Sequence, residues 1–131
     1  MNKDPLKTAG AVVLLVALCW AAFGGALQCG FVYFDDDQYV FENAAIAGGW
    51  SWSAVRWAFT TGHAANWHPL TWLSHMTDIE LFGMDPRAHH AVNVWIHALN
   101  AVLLFGVLRK LTGRFGLAWW VAALWCVHPL R

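Results

Sequence analysis

The chain has 131 residues, of which 59% are apolar, 12% are charged and ten are tryptophan. Soluble domains carry about 45–50% apolar and roughly 25% charged residues, so this composition excludes an ordinary water-facing protein and points to a bilayer, whose headgroup layer favours tryptophan. Eight basic side chains balance eight acidic ones, which leaves no basic surplus for a nucleic-acid partner.

The first predicted element is a membrane span over residues 9–34. Ala9 to Phe34 carries no charged residue, and a helix of about 20 apolar residues crosses a bilayer. A cleaved leader is the competing reading. Gly24 and Ala26 offer a weak cleavage site, but the run is long for a leader, and Gln28 before Cys29 does not suit lipoprotein processing. A retained span is the expectation. The other two cysteines, Cys19 and Cys126, lie in apolar runs, and no Cys-x-x-Cys pair marks a disulfide framework or thiolate metal site.

Residues 35–87 form a polar loop rich in acids and tryptophan. Ser51 caps an expected short amphipathic helix over 51–59. Pro69 opens a second one running through Phe82. Such helices are expected to lie flat at the membrane interface, rings toward lipid.

A second span is expected over about 88–110, around the uncharged run Ala91–Leu108. A third is expected over 115–130, after a hairpin turn at Gly113. His128-Pro129-Leu130-Arg131 follows the last apolar run directly, so the chain reads as a piece of a longer membrane protein. Lys3, Lys7, Arg109, Lys110 and Arg114 fall on one side of these spans. The loop carries Asp35, Asp36, Asp37, Glu42, Asp78, Glu80 and Asp85 against Arg56 and Arg87 alone. The positive-inside rule puts the basic side in the cytoplasm and the acidic loop on the non-cytoplasmic side.

Three sets of residues carry candidate chemistry. Asp35, Asp36 and Asp37 crowd like charges at a span mouth, where repulsion and nearby lipid both cost energy. A cation, a cationic ligand or a reaction needing a base would offset that cost. A solvated acidic cap is the plainer alternative. His89, Asn93, His97 and Asn100 recur at spacings that share one helix face. They read as helix-to-helix hydrogen bonding, with a zinc site as the rarer option. His63, His68 and His75 could face headgroups, substrate or one another. Arg56 and Arg87 suit a phosphate or carboxylate partner, or a salt bridge to a neighbouring acid.

Several strings, in order, resemble one family. They are Phe31-Val32-Tyr33-Phe34-Asp35-Asp36-Asp37, Asn66-Trp67-His68-Pro69-Leu70-Thr71-Trp72-Leu73-Ser74-His75 and Leu81-Phe82-Gly83-Met84-Asp85-Pro86. His89-His90-Ala91-Val92-Asn93-Val94-Trp95-Ile96-His97-Ala98 and His128-Pro129-Leu130 complete the set. Together they are similar to the start of the transmembrane and tetratricopeptide-repeat proteins, GT-C-type membrane glycosyltransferases related to protein O-mannosyltransferases, and to their bacterial members in particular.

The resemblance implies an all-α membrane protein beginning a GT-C fold, with downstream spans and tetratricopeptide repeats beyond this stretch. It implies a polyprenyl-phosphate sugar as donor and a Ser/Thr hydroxyl of a protein as acceptor, in a multi-pass cell membrane such as the bacterial inner membrane. Spacing to Asn43 places the family's acidic pair on Asp35 and Asp36, with Asp37 as an additional acid. Those three are the expected catalytic residues. Arg56, His68, Arg87, His89 and His90 are the expected substrate contacts. No metal ligands are expected, and a need for a divalent ion is left open. Three helices are too few for a lipid groove, so this stretch alone is expected to be inactive. A non-enzymatic scaffold for downstream repeats, and a cation transporter using the acids with His89 and His97, are the rival readings.

Overall fold

The structure is a computed structural model that describes residues 4–129. Five α-helices, joined by short 3₁₀ and π turns, make up the described residues, and no strand occurs among them. They are α1 (Pro5–Phe23), α2 (Trp52–Thr60), α3 (Pro69–Phe82), α4 (Pro86–Thr112) and α5 (Phe115–Cys126). The chain divides into two compact units. One holds the stretch up to Ala26 together with everything from Ala91 onward, and the other is Leu27–His90.

In the first unit, α1 begins earlier than the uncharged run. The Asp4 carboxylate accepts hydrogen bonds from the Leu6 and Lys7 amides at 3.1 and 3.2 Å, and Pro5 occupies the first turn, where its missing N–H costs nothing. The helix also stops short of Phe34. The poor helix formers Gly24 and Gly25 divert it into a 3₁₀ turn, Gly24–Gln28, and residues 29–34 leave the helix. Pro5–Gln28, at 24 residues, is still long and apolar enough to cross a membrane.

Helix α4 runs 27 residues and meets the same criterion, exceeding the expected 88–110 at both ends. The Asp85 carboxylate caps its start by accepting from the Arg87 amide at 3.1 Å. Gly113, at φ +67°, turns the chain out of it. The expected third span is shorter than the sequence suggests. Helix α5 has 12 residues, about 18 Å at 1.5 Å per residue, against a hydrocarbon core of about 30 Å. Pro129 opposes helix in the residue before it, and Leu130 lies outside the described residues.

The core of this unit is Ala11, Leu15, Phe105, Ala118, Ala122 and Ala123. Of the expected basic cluster, the Lys7 ammonium and the Arg109 guanidinium lie 4.9 and 5.2 Å from the Phe115 ring centroid, while Lys3 lies outside the described residues. Arg109 also donates to the Thr8 hydroxyl at 2.8 Å. Large apolar side chains such as Val13, Trp95, Leu99, Leu103, Trp120 and Leu124 stand exposed. Water would penalise that surface; lipid does not. The two apolar helices and this surface are those of a membrane protein.

The polar stripe on α4 divides. His97 turns inward and donates from Nε2 to the Cys126 carbonyl at 2.8 Å, which bears out helix-to-helix hydrogen bonding. Asn93 and Asn100 are exposed, because the buried face of this stretch runs through Val94, Ala98, Ala101 and Phe105.

The second unit is a small packed body. Ser51 caps α2, its hydroxyl accepting from the Ala54 amide at 3.0 Å, and Pro69 opens α3, both as expected. Two of the rings expected to face lipid, Trp57 and Trp72, turn instead into the unit's own core. α2 and α3 pack on each other around Ile46, Ala54, Ala58, Trp72 and Met76. Trp72 is completely buried, ringed by Tyr39, Trp57, His63 and His68 at centroid distances of 4.7–5.6 Å. Burying an indole beside its helix partner removes more apolar area from water than laying it on a surface. Trp52 and Trp67 remain exposed.

Candidate functional site

The site is built in the second unit, from the acidic turn, α3 and the first turn of α4. Asp36 opens a π turn, Asp37–Phe41, a winding often found at functional positions. Its carboxylate reaches back to accept from the Val32 amide at 2.9 Å, so it is half-buried and directed by the backbone. Asp35 is exposed. One carboxylate oxygen of Asp37 is buried without a hydrogen-bond partner among the described residues. The three consecutive acids therefore occupy three different environments.

Helix α3 presents His75 and Asp78 one turn apart, on one face. His89 meets them from the start of α4. Its Nδ1 lies 3.8 Å from the Asp78 carboxylate, and both side chains are nearly completely buried, at 3% and 5% exposure. The His89 Nε2 donates to the Gly83 carbonyl at 3.0 Å. The His75 and His89 rings stack at 6.1 Å, and Phe31 packs edge-on against His89 at 5.5 Å.

The electrostatics follow from burial. Desolvation, reinforced by neighbouring His89 and to a lesser extent His68, holds His75 down at about 4, while the charge of Asp36 pulls the other way. The imidazole is therefore neutral at physiological pH. Burial pushes the Asp78 carboxyl up, partly countered by His89. The Nδ1 atoms of both His75 and His89 are buried with no hydrogen-bond partner among the described residues, an uncommon condition in a folded interior.

Of the residues singled out in the sequence, the structure draws Asp36, His68 and His89 into the surroundings of His75. His68 packs at a tilt against Tyr39 and Trp72, at 5.3 and 4.7 Å between ring centroids. His90 is half-buried, with its Nε2 unpartnered among the described residues. Arg56 and Arg87 are exposed on α2 and α4, and neither makes an ion pair among the described residues, so the salt-bridge alternative does not hold there. Asn43, the spacing marker for the acidic pair, is buried and structural. Its amide donates to the Gln38 carbonyl at 3.0 Å, and its side-chain oxygen accepts from the Ala45 amide at 3.1 Å. The sequence reading missed the grouping of His75 with Asp78. The available signal was their three-residue spacing on a predicted helix.

No family model matches the chain, and no solved structure matches it. Among curated proteins it is similar to the protein O-mannosyl-transferase TMTC1 of Homo sapiens, 33% identical over 96% of this chain. The mouse protein of the same name is 33% identical over 96% of the chain. Protein O-mannosyl-transferase Tmtc1 of Drosophila melanogaster is 31% identical over 98%. The chain spans only 14–15% of the length of these relatives.

Proposed function

We propose that this chain is part of an integral-membrane glycosyltransferase of the O-mannosyl-transferase kind, moving a sugar from a polyprenyl-phosphate donor to a Ser or Thr hydroxyl of a protein. The observation that carries this reading is the similarity to proteins named O-mannosyl-transferases along nearly the whole chain. Support comes from a backbone-directed carboxylate, Asp36, in the polar unit of a chain with two apolar spans.

The chemistry asked of that carboxylate is proton removal. A Ser or Thr hydroxyl is a poor nucleophile at neutral pH, and a base within hydrogen-bond reach is worth typically about 10²–10⁴-fold. Asp36 is the base in this reading, and Asp35 is its exposed neighbour in the acidic pair. Arg56 and Arg87, exposed and without ion-pair partners among the described residues, offer guanidinium donors to the departing phosphate. The rest of the lipid groove belongs to further GT-C-like helices. The acidic unit lies on the non-cytoplasmic side.

The test is transfer by the full-length protein from polyprenyl-phosphate mannose to a Ser/Thr peptide. Asp36→Asn is expected to lower the rate at least about 100-fold with folding intact by circular dichroism. A rate within twofold of the parent removes Asp36 from the catalytic role.

A further inference from the structure

We propose that His75, Asp78 and His89 form a binding site for one divalent transition-metal ion, with Zn(II) as the ion the donors suit. The proposal does not depend on the glycosyltransferase reading. Each of the three residues offers one ligand atom, and these atoms all lie within 4.8 Å of one another. The gap between His89 Nδ1 and the Asp78 carboxylate is 3.8 Å. Tetrahedral ligands at about 2.0–2.1 Å from zinc stand roughly 3.4 Å apart, so a small inward movement closes the shell.

The hydrogen bonding assigns the free ring nitrogens. A carbonyl only accepts, so the bond to Gly83 fixes the His89 proton on Nε2. In the neutral ring, Nδ1 then turns its lone pair toward a carboxylate oxygen, an unfavourable encounter unless a cation or proton lies between them. His75 repeats the pattern, with Nδ1 buried and unpartnered among the described residues. Gly83 acts as the outer partner that orients a ligating histidine, an arrangement typical of metal sites. Two imidazoles and a carboxylate leave a fourth position open for water or a substrate oxygen, as in catalytic zinc centres.

A second group with clustered donors, Cys19, His97 and Cys126 in the first unit, is a weaker candidate. Each of its members already has a carbonyl partner: Val94 for Cys19, Leu15 for Cys126 and Cys126 for His97. It needs no ion to be satisfied, and it serves as the internal control.

The experiment loads the intact, chelator-stripped protein in detergent with Zn(II). Bound metal is then counted after desalting, and X-ray absorption is recorded at the zinc edge. The expected result is one tightly held zinc with a nitrogen and oxygen shell, including imidazole scattering and no sulfur. His75→Gln and Asp78→Asn should each weaken binding at least tenfold, while the Cys19→Ser/Cys126→Ser double variant binds as the parent does. Failure to retain zinc overturns the proposal, as does a sulfur-containing shell, or zinc retained in full by a His75→Gln/Asp78→Asn double variant. The absorption spectrum of the unmodified protein decides the ligand set even where a variant does not fold.

Discussion

His89 holds the Gly83 carbonyl with one ring nitrogen and faces the Asp78 carboxylate across 3.8 Å with the other. The first bond fixes where the proton sits, and so decides what the second nitrogen can accept. With chelator present, Asp78→Asn should therefore be tolerated. The new amide donates a hydrogen to Nδ1 and removes a buried carboxylate that burial disfavours in its charged form. The expected outcome is a thermal midpoint equal to or above the parent's. A clear fall in the midpoint under chelator would show that Asp78 contributes as an anion paired with protonated His89.

Trp72 is the centre of the second unit, in contact with three rings of that unit besides His63. Trp72→Ala should destabilise this unit by about 3–5 kcal/mol. Hydrogen exchange is the appropriate measurement, because it resolves the units separately. Exchange over residues 27–90 should accelerate strongly, while α1, α5 and the part of α4 beyond Ala91 keep their protection. Equal acceleration throughout would mean that the two units do not unfold separately.

Ser51 caps the start of α2, at 3.0 Å from the Ala54 amide. Ser51→Ala should cost about 1 kcal/mol, and Ser51→Asp should restore most of it. Urea unfolding followed by tryptophan emission reads both, and a loss in the aspartate variant as large as in alanine would argue against capping.

The three thiols differ in access: Cys29 is exposed, whereas Cys19 and Cys126 are buried. A membrane-impermeant maleimide added to the outside of intact cells should label Cys29, and Cys29→Ser should remove that share of the label. Labelling of Cys29 only after the cells are opened would reverse the proposed orientation of the acidic unit.

Helix positions were largely legible in the sequence, because charge-free runs, Ser51 and Pro69 are local signals. The ends of α1 were less so. Absence of charge marks where a helix is permitted, while Asp4 and the Gly24-Gly25 pair decide where it starts and stops. The fate of the outer tryptophans was misread for a different reason. Composition says that Trp72 seeks an apolar place, but not whether lipid or a neighbouring helix provides it. At the site, Asp36 was visible as a member of the acidic run, and the backbone bond from Val32 sets it apart. The joining of His75 and Asp78 to His89 depends on the turn at Gly83, which no spacing rule spells out.

The alanine-lined seam of α1 and α5 separates the two units in how they fail. Between helices in lipid, water expulsion contributes nothing, and close approach of small side chains supplies the attraction. Enlarging Ala118 or Ala122 would thus push the two helices apart without unwinding either of them. A comparable insult around Trp72 would remove the packing that holds its unit together.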